Sequence, residues 1–268
     1  MTHTYECALR WADMDLLGHV NNVRYLDLVA AAREALFAGH PAGRAEVRSH
    51  RVEFLAPLVF RRAPITVDSW VTASGDGEAH LAHEVYDEAD TGRTVHLRVS
   101  TVLRHDLDPK ERALAEQHAG SDHAWREVPA DRRPPRVHYD LHVRPSDLGA
   151  RGTMSDSSVL ELLQESRVRY LMGLHTPGER WTQHVIARTD VDYRRPIELR
   201  PAPYDVASWI GHLGGKSFSI CAEVRDGEEV LAEATVVVVA FDTETQRPAP
   251  MAETQRTRLQ AEVGQTDA

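Results

Sequence analysis

The chain has 268 residues, of which 42% are hydrophobic and 27% charged; that is the composition of a soluble globular protein and the length of about two domains of roughly 130 residues each. Its 31 Lys and Arg stand against 41 Asp and Glu, a formal charge of −10. No nucleic-acid partner is expected, because binding a phosphate backbone needs a basic surface, although a local basic pocket for one phosphorylated ligand stays open. Cys7 and Cys221 are the only cysteines. Both fall on stretches that read as strands, neither has metal-ligand spacing around it, and both read as buried small hydrophobes. No metal or redox cofactor is expected. No apolar run reaches the length of a membrane-spanning helix, and the first residues lack the charged–apolar–small pattern of a secretory signal. The expected setting is cytoplasmic, with no membrane partner, and the richness in Ala, Arg and Val points to a GC-rich bacterial source.

In chain order, a short strand is predicted near Thr4–Arg10. A helix follows over Asn22–Phe37, with Val23, Leu26, Val29, Ala30 and Phe37 at helical spacing, Asn21 and Asn22 to cap its start, and Gly39 and Pro41 to end it. Four β-rich stretches come next, near Arg48–Leu55, Ile65–Ala73, His80–Tyr86 and Val95–Leu103, punctuated by Gly75-Asp76-Gly77 and Thr91-Gly92. The charged stretch 106–134 reads as a connecting segment carrying a short helix around Pro109–Ala119. The order then repeats. A strand is predicted near Pro135–Arg144 and a helix over Ser157–Gly173, capped by Ser155 or Asp156. Strands are predicted near Val185–Tyr193, Tyr204–His212, Ser217–Val224 and Glu229–Phe241, with turns at Gly214-Gly215 and Asp226-Gly227. Residues 246–268 read as a polar, loosely ordered tail. One long helix followed by a meander of strands can bury the helix only if the sheet wraps around it. The expected class is α+β, with one domain over 1–105 and a second over 135–245.

The residues repeat as well as the elements. Arg10-Trp11-Ala12-Asp13-Met14-Asp15-Leu16-Leu17-Gly18-His19-Val20-Asn21-Asn22 is answered by Arg144-Pro145-Ser146-Asp147-Leu148-Gly149-Ala150-Arg151-Gly152-Thr153-Met154-Ser155-Asp156, at a constant offset of 147 − 13 = 134. Leu26 and Leu160, and Arg33 and Arg167, keep it. Further on, Val52-Glu53-Phe54 and Ser69-Trp70-Val71 align with Val191-Asp192-Tyr193 and Ser208-Trp209-Ile210 at 191 − 52 = 139. A gapless repeat of this length marks a duplicated domain. The copies are unequal: where the first has Asp15, the second has Gly149, which cannot do acid chemistry.

Asp15 stands seven residues before Asn22, with the Gly18 turn between. That spacing lets a carboxylate sit beside the first turn of the helix, where free main-chain amides favour a developing negative charge. The run Arg10-Trp11-x-Asp13-x-Asp15-x-x-Gly18-His19-Val20-Asn21-Asn22-x-x-Tyr25-Leu26, with Val52-Glu53-Phe54 and Pro57-Leu58 after it, resembles the hotdog-fold acyl-CoA thioesterases of the 4-hydroxybenzoyl-CoA thioesterase type. The resemblance covers nearly all of the first half; in the second it is clear in fold markers and weak in chemistry. It implies two tandem hotdog domains, each a long helix wrapped by an antiparallel sheet, packed as an intramolecular pseudo-dimer with active sites where the two meet. It further implies that Asp15 is the catalytic acid, that the Asn22 amide polarises the substrate carbonyl, and that Gly18 lets the backbone come close. His19 and Asn21 complete the candidate set, His19 as a turn-former or base and Asn21 as a cap or water ligand. Asp13, retained as Asp147, reads as structural.

The second half has Gly149, Thr153 and Ser155-Asp156 at those places, and reads as non-catalytic. It carries Glu161 and Glu165 on its helix, which read as solvated or ion-paired acids, with the alternative, implied by other hotdog thioesterases in which a helix Glu provides the carboxylate, that one of them assists. Gly214-Gly215-Lys216-Ser217-Phe218 resembles the family's Lys-Ser-Phe hairpin near the coenzyme A phosphates, which makes Lys216 and Ser217 candidate phosphate contacts, with Arg61-Arg62 and Arg194-Arg195 as lesser ones. The expected substrate is an acyl-CoA. The alternatives are an acyl-carrier-protein thioesterase, a hotdog dehydratase or hydratase (whose His-and-acid pattern is not matched) and a non-catalytic acyl-CoA-binding protein. Association beyond the fused pair is left open.

Overall fold

The computed structural model describes residues 2–15, 18–89, 92–242, 244–245 and 247–264. The chain divides into two compact units, residues 1–125 and 126–268. The first contains β1 (His3–Cys7), α1 (Arg24–Leu36), β2 (Glu46–Phe54), β3 (Ile65–Gly75), β4 (Glu78–Ala89), β5 (Gly92–Arg104) and α2 (Pro109–Gln117). Its strands run in the order β1-β3-β4-β5-β2, antiparallel throughout. α1 buries Tyr25, Leu26, Val29, Ala32 and Leu36, one stripe at three- and four-residue spacing, and touches β1 and β3. The β3–β4 hairpin turns through Asp76 and Gly77 at φ values of 53° and 81°, left-handed values that suit a tight hairpin turn.

The second unit repeats the plan with β6 (Val137–Leu141), α3 (Asp156–Leu174), β7 (His184–Tyr193), β8 (Tyr204–Leu213), β9 (Ser217–Asp226), β10 (Glu229–Asp242), β11 (Arg247–Pro248) and α4 (Glu253–Gly264). The order is β7-β10-β9-β8-β6, again antiparallel, with β11 paired to β10. Each expected helix and strand is present, most within a few residues of its expected bounds. Among the described residues no helix is long and apolar enough to cross a membrane.

The stretches expected to be a connector and a loose tail are built differently. The connector is divided between the units and tied down along its length. Asp108 caps α2, its Oδ1 accepting from the amides of Lys110 and Glu111 at 2.8 and 2.9 Å. The fully buried Glu111 then receives the Ala42 amide at 2.8 Å. Trp70 donates its indole N–H to the Ser121 carbonyl at 2.8 Å, and Trp125 donates to Ser100 at 2.8 Å. In the second unit the equivalent Trp209 donates to the Asp131 carbonyl at 3.0 Å, and Ser219 to that of Pro129 at 2.8 Å.

The tail folds too. α4 lies against β8 and buries Leu259 completely, in a core with Tyr170, Leu171, Phe218 and Val238. Tyr170 donates to Glu262 at 2.6 Å. α2 touches β3 and α4 touches β8, so the duplicated unit includes a closing helix after its last long strand. The polar sequence of 246–268 hides this because, among the described residues, its contacts to this core come from Met251, Leu259 and Val263.

Leu259→Ala removes a fully buried side chain, and a loss of about 2–5 kcal/mol is expected. Urea unfolding of the variant against the parent checks this; an unchanged midpoint would mean that α4 adds nothing to the core.

Candidate active site

The loop between strand and helix has the same main-chain geometry in both units. Asp13 accepts the Arg10 amide on Oδ2 at 2.7 Å, and Asp147 accepts the Arg144 amide at 2.7 Å. The Asp15 amide donates to the His19 carbonyl at 2.7 Å and that of Gly149 to the Thr153 carbonyl at 2.8 Å. Gly18 donates to the Asp15 carbonyl at 3.1 Å and Gly152 to that of Gly149 at 3.0 Å. Val20 donates to Leu58 at 2.8 Å and Met154 to Ile197 at 2.9 Å. Gly18 and Gly152 share a φ of 76°. A Cβ at Gly18 would meet nothing within 4 Å, so within the chain this glycine is required for its left-handed backbone.

The two loops differ in side chains. Asp15 is half-buried, and its Oδ1 accepts the His19 amide at 3.1 Å. Gly149 makes the same turn with no carboxylate, so the turn does not need the acid. His19 is half-buried; since Thr153 stands in the same turn, the imidazole is not what shapes it. Asn21 Oδ1 accepts the Val23 amide at 3.1 Å, and its carbonyl accepts that of Arg24 at 2.8 Å. These contacts make a turn, and α1 starts at Arg24, two residues later than the sequence suggests. Asn22 lies in that turn, half-buried, and among the described residues its amide has no hydrogen-bond acceptor. The second unit caps its helix with Ser155, whose Oγ accepts from Ser158 at 3.1 Å, and α3 starts at once with Asp156.

Tyr25 belongs to the site and was not singled out for it by the sequence. It is 3% exposed. Burial pushes its phenol up, a hydrogen bond with the Leu58 main chain opposes this, and the neighbouring Asp15 carboxylate adds to it. Leu58 is the residue whose carbonyl also receives Val20, so Tyr25 ties α1 to the segment that holds the Asp15 loop. Val159 occupies the place in the second unit. That substitution, coinciding with the loss of the acid, was the available signal.

The remaining candidates lie in the second unit. Asp156 opens α3, and its carbonyl receives the Tyr193 hydroxyl at 3.1 Å. Glu165 pairs with Arg169 one turn on at 2.7 Å, and Glu161 is exposed. Lys216 is exposed, and its Nζ donates to the Pro248 carbonyl at 3.1 Å. Ser217 opens β9, its carbonyl accepting the Gly214 amide at 2.7 Å. Arg194 and Arg195 pair with Glu233 and Glu229 at 2.6 and 3.2 Å. A pocket of about 230 Å³ opens beside Arg132, Asp190, Trp209, Cys221 and Glu223. Glu223 there is paired with Arg132 at 2.9 Å and with Arg225 at 2.5 Å. Burial raises the thiol pKa of both Cys7 and Cys221. Among the described residues no three His, Cys, Asp or Glu side chains are placed to hold a metal ion.

The model of the thioesterase-like superfamily matches this chain at residues 9–116 and again at 143–259, each match containing one copy of the loop. Among solved structures, the chain is similar to a protein from Lactobacillus plantarum provisionally described as an oleoyl thioesterase, at 11% identity and a TM-score of 0.68 over 90% of this chain and 97% of that one. It is similar to the 12:0-ACP thioesterase of Umbellularia californica at 15% identity and a TM-score of 0.67, over 92% and 98%. An acyl-ACP thioesterase of Bacteroides thetaiotaomicron gives 12% and 0.62, over 88% and 97%. At such identities the likeness is one of fold: both units are hotdog domains, in tandem. Comparison with curated proteins gives no match.

Asp15→Asn keeps the shape and an acceptor for the His19 amide, so the variant should melt with the parent while thioester turnover falls by about a hundredfold or more. Asp156→Asn should stay within a few-fold of the parent. Steady-state rates and melting curves decide both; an equally deep loss in the second variant would put an acid in each half. Tyr25→Phe should cost about 1 kcal/mol of stability through its lost hydrogen bond and lower kcat with little change in KM, since it holds the loop and not the substrate.

Proposed function

Because the chain belongs to the thioesterase-like superfamily, we propose that it hydrolyses acyl-CoA thioesters to free acid and CoA, with a single set of catalytic groups per chain carried by the first unit. One observation carries this reading. The Asp15 loop is rebuilt without its acid in the second unit, so the carboxylate is kept for something other than the fold. Thioester hydrolysis supplies that use. Asp15 attacks the carbonyl carbon itself, or takes a proton from the water that does. The Asn22 amide, with no acceptor among the described residues, donates to the carbonyl oxygen as it becomes an oxyanion. The carbon–sulfur bond breaks, and the thiolate of CoA leaves and takes up a proton. Where water attacked, the acyl group departs directly as a carboxylic acid. Where Asp15 attacked, the acyl group is first held as a mixed anhydride that a water molecule then hydrolyses, releasing the acid and restoring the Asp15 carboxylate. Gly18 and Asn21 hold the loop in which this happens, and His19 stands beside Asp15 as a candidate base. The motif Asp13-x-Asp15-x-x-Gly18-His19-Val20-Asn21-Asn22 favours the 4-hydroxybenzoyl-CoA thioesterase type among hotdog enzymes.

An acyl-carrier-protein substrate is the second reading, favoured by the likeness in fold to two proteins described as acyl-ACP thioesterases. The charge of −10 disfavours docking with an acidic carrier. Assays with a panel of acyl-CoAs and with acyl carrier protein separate the readings: hydrolysis of the carrier thioester alone would reject acyl-CoA, and hydrolysis of neither would leave a binding protein.

The proposal includes Lys216 and Ser217 as contacts to the nucleotide phosphates, for which Lys216 must exchange the Pro248 carbonyl for a phosphate. Lys216→Ala should then raise KM for acyl-CoA more than it lowers kcat, because a contact remote from the thioester binds ground and transition states alike. For an exposed charge the effect is about 1 kcal/mol and shrinks with salt. An equal effect on acyl-pantetheine, which has no nucleotide, would remove Lys216 from the site.

A further inference from the structure

Trp11 is 76% exposed, the highest value among the large hydrophobic side chains described, and Phe60 is 40% exposed. The two rings meet edge to face, with centroids 5.5 Å apart and planes at 79°. Exposing this much aromatic surface side by side is unfavourable unless something covers it. The pair belongs to the first unit's candidate site by both of its chain segments. Trp11 sits in the short turn Trp11–Asp13 that leads into the Asp15 loop, and Phe60 follows Val59, which bridges to His19.

The second unit again serves as a control. At the same offsets Trp11 becomes Pro145, Phe60 becomes Leu199 and Arg62 becomes Pro201. All three are lost where Asp15 is lost. Arg61, between them, is not: it pairs with Asp87, and its counterpart Arg200 pairs with Asp226 at 2.6 Å. Arg61 therefore serves the fold in both copies. Arg62 is exposed, and among the described residues its guanidinium has no acceptor. Two exposed aromatic rings and an unengaged guanidinium, kept only in the acid-bearing unit of a chain of charge −10, make a surface for a planar, anionic group.

We propose that Trp11, Phe60 and Arg62 form the subsite for the nucleotide end of the thioester substrate, with the adenine ring stacked on the Trp11–Phe60 pair and a phosphate on Arg62. This rests on the acyl-CoA reading given above. Rings present a face that any base can stack on, and a guanidinium beside them suits a phosphate, so the nucleotide supplies both the planar group and the charge that this surface takes.

The test measures kcat/KM on acyl-CoA and on the matching acyl-pantetheine, and takes the ratio of the two. Base–aromatic stacking predicts that Trp11→Ala lowers this ratio about tenfold, that Phe60→Ala and Arg62→Ala lower it less, and that Trp11→Phe keeps most of it. Adenosine 3′,5′-bisphosphate should bind the parent by calorimetry and bind Trp11→Ala more weakly. An unchanged ratio in all three alanine variants overturns the subsite, as does an equal loss on both substrates, which would assign the rings to the pantetheine arm or to the fold. A loss confined to acyl carrier protein would make the patch a protein-docking surface instead. If the parent fails on every acyl-CoA, the functional reading itself falls, and that is seen before any variant is made.

Discussion

A carboxylate that accepts a main-chain amide three residues upstream sets the shape of the strand-to-helix loop in both units. Asp13 holds Arg10, and Asp147 holds Arg144. Hydrogen bonds to a charged group are among the stronger ones in a protein. The Asp13 carbonyl then receives Asn21 at 2.8 Å, and that of Asp147 receives Ser155 at 3.0 Å. One residue thus pins both ends of the loop. The left-handed glycine and the bridge to the segment after the second strand close what remains. With the backbone fixed in this way, the turn forms in the second copy without the side chains that stand at 15, 19 and 22 in the first.

The phenol near the loop shows what the unequal copies do with one hydroxyl. In the first unit the helix supplies it, from Tyr25, facing Phe54 on β2 at a ring distance of 5.8 Å. In the second the strand supplies it: Tyr193 replaces Phe54, Val159 replaces Tyr25, and the hydroxyl goes to the Asp156 carbonyl. The first arrangement tightens the segment beside Asp15. The second secures the start of a helix that already has a side-chain cap. Both keep a buried hydroxyl partnered, as burial demands, but only the first serves a loop that carries an acid.

Much of this was legible in the sequence, and the reason is physical. A gapless repeat fixes which residues are equivalent, and apolar periodicity finds helices and strands that bury one face. The loop motif placed Asp15, Gly18 and Asn22 in one loop before the helix. Three features were not legible. α4 presents only a sparse apolar stripe, and its helix is stabilised by an otherwise open core and not by its own pattern. The connector is fixed by indole and hydroxyl donors reaching irregular carbonyls, which leave no period. Lys216 meets a carbonyl thirty-two residues away, between Lys216 and Pro248, and no local pattern encodes that partner.

Duplication also gives a rule for sorting charged residues, and the rule has a limit. A side chain kept in both copies with the same partner belongs to the fold, as Arg61 with Asp87 and Arg200 with Asp226 do. The limit is set by Arg33 and Arg167, which occupy equivalent helix positions but have different surroundings. Arg33 is buried and donates from Nε to the Gly43 carbonyl at 3.0 Å. It holds a turn in which a Cβ at Gly43 would lie 2.9 Å from the Glu34 backbone. Arg167 reaches Gln164 at 3.4 Å, and burial pulls it down to about 10. Its charge in turn disfavours protonation of His184, which burial has already lowered. Conserved type at a conserved position is therefore not enough. The partner must be conserved too, and where it changes, as from the Gly43 carbonyl to Gln164, the same guanidinium has taken up a different physical task.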